Sequence, residues 1–115
     1  MRIFLVLLLF FSIPVFADDP FKELSGQFYI SGKSVSDAPN NENKDTHIYI
    51  RLNGEAAKKM YNMIKSEPII NRCAVNHLSK FSGNIQCDYF EKTKMYSCQF
   101  SVDVKNSQIG LGSSC

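Results

Sequence analysis

Two histidines, four cysteines and a few outward-pointing aromatics carry whatever chemistry this 115-residue chain performs. His47 and Arg51 fall on the same side of an alternating stretch, and a base beside a cation is what a small ribonuclease-like hydrolase uses to move a proton while holding a phosphate. No motif fixes a further acid or lysine beside them, so two exposed surface residues is the simpler reading. Serine nucleophile elbows, phosphate-cradling glycine loops and His-Glu-x-x-His helices are absent. The expectation is a protein that is not an enzyme.

Cys73 and His77 lie four apart, and with Cys87 and Cys98 they offer the donor types of a zinc site. Zinc ligands usually come as tighter Cys-x-x-Cys knuckles, and exported thiols tend to oxidise before they coordinate, so no metal or other cofactor is expected. An even cysteine number in a small exported chain reads instead as two bridges, with three pairings possible. A turn at Glu91 to Lys94 sets Cys87 opposite Cys98, which leaves Cys73 for Cys115. On the chain-entropy model the short loop contributes about 3 kcal/mol and the long one about 4 kcal/mol.

Export itself is read from the first residues. Arg2 is a charged start, Ile3 to Phe11 an apolar stretch and Val15-Phe16-Ala17 a small-residue exit, the pattern of a signal peptide at 1–17 cut after Ala17. The apolar stretch falls short of the roughly 20 residues that span a bilayer, and no second one follows. The expected product is one domain, 18–115, in the periplasm or secreted, with no membrane insertion after cleavage. Without Arg2 the 13 basic residues become 12 against 11 acids, a balance that calls for neither nucleic acid nor anionic lipid. Lys58, Lys59 and Lys65 read as a solvated helix side, since no aromatic platform accompanies them.

The elements that must position these residues follow from periodicity. Gln27 to Ser31 alternates as a short strand, and Lys33 to Asp45 has almost nothing to bury and reads as a solvated, mobile loop. In His47 to Leu52 the residues Ile48, Ile50 and Leu52 point one way and His47, Tyr49 and Arg51 the other. Asn53 is placed to cap a helix from Gly54 to about Ser66, with Ala57, Met60, Tyr61 and Ile64 as its apolar stripe, Glu55 and Lys65 suited to its dipole, and Pro68 beyond its end. In Ile69 to Phe81, Ile69-Ile70 could open a strand while Cys73 to Leu78 could equally be a turn of helix, so the segment stays open. Asn84 to Phe90 and Met95 to Lys105 form a hairpin whose second strand turns Tyr96, Cys98, Phe100, Val102 and Val104 to one side. The fold class is α+β: a small antiparallel sheet with one helix packed on one face and a disulfide-stapled C-terminal hairpin.

The wet face of that sheet is unusual in carrying Tyr29, Tyr49, Arg51, Asp88, Phe90 and Gln99 where Lys and Glu are the ordinary occupants. Aromatic residues and Arg are enriched where proteins touch other proteins. Tyr and Phe are also good strand formers, and Phe90 beside the turn could simply fold over an edge, so plain sheet surface is the competing reading; Tyr29, Tyr49, Arg51 and Phe90 are the candidate binding residues.

Gly83-Asn84-Ile85-Gln86-Cys87, then Tyr96-Ser97-Cys98-Gln99-Phe100 and a closing Cys115, resemble uncharacterised small periplasmic bacterial proteins with a cysteine-bearing C-terminal hairpin. The resemblance covers the last third of the chain and brings no catalytic residue with it. In size and compartment the domain is also similar to small exported inhibitors of lysozymes and cell-wall toxins, without their signature motifs. The expected function is an exported, non-enzymatic protein-binding domain of inhibitor or immunity type, with another protein as partner. The alternatives are a small secreted hydrolase at His47 and Arg51, or an envelope structural protein with no discrete site.

Overall fold

The computed structural model describes residues 19–34, 39–71, 73 and 76–113. The signal peptide expected at 1–17 and Cys115, with the expected Cys73–Cys115 pairing, therefore lie outside the described residues. Seven strands and one helix are found among those described: β1 Ser25–Ser31, β2 His47–Asn53, α1 Gly54–Met63, β3 Ile69–Ile70, β4 His77–Ser82, β5 Ile85–Phe90, β6 Met95–Asp103 and β7 Gln108–Gly110. They make one antiparallel sheet in the order β1-β2-β6-β5-β4-β3, with β7 pairing the far end of β6 in line with β5. This is the expected α+β arrangement with a stapled hairpin.

Helix α1 lies on one face because its apolar stripe meets the apolar side of the alternating strands. Ala57 and Tyr61 are buried against Leu52, Cys87 and Cys98, with Ile50, Met60, Ile64, Ile85, Tyr89, Tyr96 and Phe100 packed around them. The Tyr61 ring meets Tyr96 edge-on with centroids 5.3 Å apart, and Tyr89 lies 4.8 Å from Tyr96. Cys87 and Cys98 face each other across the β5–β6 pair and are bonded, with their Cα atoms 4.0 Å apart. That bond consumes two of the four ligands a zinc site here would need. Cys73 is also disulfide-bonded.

Both helix ends differ from expectation. Asn53 has the extended backbone of an N-cap, but its side chain caps nothing. As the last residue of β2 on the opposite face it lines a cleft there, while Gly54 makes the turn into the helix at φ +65°, a conformation other residues resist. The helix stops at Met63 rather than near Ser66. The Lys80 ammonium, from β4, donates to the carbonyls of Tyr61 (3.3 Å) and Ile64 (3.1 Å) and lies over the Tyr61 ring. The Tyr61 carbonyl is the acceptor a further helical turn would have used. Lys65 donates to the carbonyl of Asn62, as the dipole argument expects.

Two smaller corrections concern loops. β6 ends at Asp103, and the Val104 side chain beyond it is exposed, although its backbone N–H still donates to the Thr46 carbonyl. Within the polar segment after β1, residues 35–38 lie outside the described residues, but Glu42 is half-buried and its carboxylate accepts hydrogen bonds from the Ser34 backbone N–H and hydroxyl, both at 2.9 Å. That end of the loop is tied to the fold.

Candidate binding site on the open face of the sheet

The face opposite α1 is organised in rows, because residues paired across an antiparallel sheet share a side. One row runs Asn53, Ser97, Asp88, Ser79. The next is Gln27, Arg51, Gln99, Gln86. A third is Tyr29, Tyr49, Ser101, and a fourth is Ser31, His47, Asp103. At the other end Met95, Phe90 and His77 close the face. All six residues expected on the wet side are there.

Its floor is polar and dry. Asp88 is only 5 % exposed, and its carboxylate accepts from the Ser79 hydroxyl (2.5 Å), the Gln86 amide (2.9 Å) and the Gln99 amide (3.3 Å). A buried carboxylate is tolerated when its lone pairs are met in this way. Ser97, its cross-strand partner, is buried beside it, and Ser101 is buried further along β6 opposite Tyr49. The tail after β7 crosses this face: Ser101 donates its hydroxyl to the Leu111 carbonyl at 2.7 Å. Gly112 then lies so close over β6 that a Cβ there would strike the Phe100 backbone nitrogen. A glycine is what that crossing requires.

Two clefts result. One, of about 390 Å³, is bordered by Gln27, Tyr29, Tyr49, Arg51, Gln99 and Gly112. The other, of about 500 Å³, has Asp88 in its lining with Asn53, His77, Phe90 and Ser113 around it. Arg51 and Gln99 belong to both. Arg51 is exposed, and among the described residues its guanidinium forms no ion pair.

The four candidate binding residues separate by role. Tyr29 is half exposed and stacks on Tyr49, with centroids 4.8 Å apart and planes within 6°. Tyr49 is 2 % exposed, and its hydroxyl donates to the Gly32 carbonyl at 2.6 Å. It cannot present a free contact surface; it supports Tyr29 from below. Burial raises the Tyr49 phenol above its ordinary pKa, with Tyr29 and Glu42 adding to the effect. Phe90 is half-buried, its ring 4.0 Å from that of His77 in an edge-to-face contact. Arg51 alone is both open and charged.

His47 and Arg51 do not come together. Three strand residues lie between them, about 13 Å along β2, with Tyr49 in the middle. The His47 side chain is 14 % exposed, with Nδ1 2.7 Å from the Thr46 hydroxyl and Nε2 3.7 Å from the Asp103 carboxylate. Asp103 is held below the usual carboxylate range chiefly by the Asn106 side-chain amide, with His47 contributing less. His77 shares a cleft with Arg51 and Asp88, but three donors already occupy the Asp88 carboxylate.

Sequence reasoning missed Ser79, Gln86, Ser97 and Ser101 as a floor. The signal available was Ser97 and Ser101 at alternate positions of β6 with Gln99 between them. Among the described residues no helix is long and apolar enough to cross a membrane. No family model matches the chain, and neither does any curated protein or solved structure.

Proposed function

We propose that this is an exported, non-enzymatic binding protein whose open sheet face engages another protein, with Arg51 as the central contact and Tyr29 as its aromatic neighbour. The observation that carries the reading is the exposed Arg51 guanidinium, without an ion pair among the described residues, standing between two clefts on a hydrogen-bonded floor. A guanidinium so placed is complementary to a carboxylate, which it can grip with two parallel hydrogen bonds. The matching partner surface is acidic. Disulfide chemistry supports the exported part of the reading, since such bonds persist in oxidising compartments. An inhibitor or immunity-type role toward another exported protein is the form of binding we assign.

Affinity capture with the disulfide-intact protein tests it. Arg51→Ala should weaken the specific partner by tenfold or more, on the order of the 2 kcal/mol typical of a central interface arginine, and Arg51→Glu should abolish capture. Tyr29→Ala should weaken it less. A specific partner that stays bound to Arg51→Glu would remove Arg51 from the interface and sink the reading.

A further inference from the structure

The two edges of the sheet are unequal. β3 ends one side with two residues, whereas β1 ends the other with seven, paired to β2 in unbroken register. Proteins normally blunt such an edge with a charge, a proline or a bulge. Ser25–Ser31 has none of these, and Phe28 (69 %), Tyr29 and Ile30 are exposed along it.

We propose that β1 is the dimer interface of this protein, pairing antiparallel with β1 of a second copy about a two-fold axis at Phe28. Only that axis pairs all seven residues. It sets Phe28 against Phe28, Ile30 against Gly26, Tyr29 against Gln27 and Ser25 against Ser31 of the mate, so an aromatic pair sits on the axis, Ile30 meets the space over a glycine, and polar groups meet polar ones. No charge opposes a like charge. The strand is about 23 Å long at roughly 3.3 Å per residue, and an isologous pairing of that length satisfies its outward N–H and C=O groups on both copies at once. An unrelated strand would meet the same hydrogen bonds but not this self-complementary order of large and small residues.

The joined sheet also has a functional consequence. It puts the mate's Tyr29 beside Gln27, in the row that holds Arg51, and so merges the two open faces. The dimer does not depend on what that face binds.

Sedimentation or light scattering on the disulfide-intact protein decides it. The full chain is 13.0 kDa. Twice the monomer mass is expected at tens of micromolar. Phe28→Lys, which sets two ammonium groups face to face, should weaken association at least a hundredfold, and Ile70→Lys on the other edge should leave the dimer intact. Amide exchange on the unmodified protein gives a second readout that needs no variant: the alternate β1 amides that point away from β2 should be protected, and should lose protection on dilution to the monomer, while those bonded to β2 stay protected throughout. A monomer at all concentrations with freely exchanging outward β1 amides overturns the proposal. So does a monomer whose outward β1 amides are protected, because another segment of the same chain then covers the edge. A dimer that survives Phe28→Lys, or open-ended polymers in which β1 pairs β3, overturns it as well.

Discussion

On the helix-covered face the buried groups are Leu52, Ala57, Tyr61 and the Cys87–Cys98 bridge, whereas on the open face they are Ser79, Asp88, Ser97, Ser101 and the Tyr49 phenol. Both sets are kept from water by the same strands, often by adjacent residues: Cys87 and Asp88 are neighbours, as are Ser97 and Cys98. The first face is held by apolar contact, which is tolerant of direction; the second by hydrogen bonds, which fix where each side chain points. A face of that second kind is suited to holding a contact residue still. Gln99, anchored on Asp88, lies directly beside Arg51 in the register.

The largest test of the comparison removes the bridge. Cys87→Ala with Cys98→Ala should cost about 3 kcal/mol from the freed short loop, seen as a lower urea midpoint with partner binding unchanged in the fraction still folded. Asp88→Ala comes next. It strands the Ser79 hydroxyl and the Gln86 and Gln99 amides, for about 2 kcal/mol, and unlike the cysteine change it should also weaken the partner, because Gln99 loses its anchor beside Arg51. Equal binding losses from the two changes would show that the faces are not separable in this way.

The helix-covered face was legible in the sequence because apolar alternation states it directly. The stripe Ala57, Met60, Tyr61, Ile64 and the facing of Cys87 and Cys98 both follow from spacing alone. β4 was not legible, and the reason is Lys80. In His77-Leu78-Ser79-Lys80-Phe81-Ser82 a lysine holds a helix-facing position and a serine a buried one, so the alternation is scrambled. Lys80 belongs there because α1 ends above it and needs a donor for its last carbonyls, a tertiary fact that no local pattern contains. The open face was half legible: period two put the right residues on it, but exposure did not follow. Alternation predicts an accessible Tyr49, yet it is covered because Tyr29 stacks on it and the Gly32 carbonyl accepts its hydroxyl hydrogen bond, contacts set by a neighbouring strand and a loop.

The smallest expected effects concern one phenol on each face. Tyr49 and Tyr61 are both pushed above the ordinary tyrosine value, mainly by burial, with Tyr96 and Asp88 next in importance for Tyr61. In the unfolded chain each phenol loses its proton near pH 10, while the folded protein keeps it to higher pH. The stability each contributes is therefore complete below about pH 10 and is lost as pH rises through the folded value. The faces should differ in what a hydroxyl deletion does at neutral pH. Tyr49→Phe removes the donor to the Gly32 carbonyl and should cost about 1 kcal/mol, whereas among the described residues nothing bonds the Tyr61 hydroxyl, so Tyr61→Phe should be nearly neutral at pH 7. Either change should flatten the fall in urea midpoint between pH 9 and 11. Midpoints for the three proteins across that range check the contrast, and a Tyr61→Phe loss at pH 7 as large as that of Tyr49→Phe would mean that directed hydrogen bonds hold both faces alike.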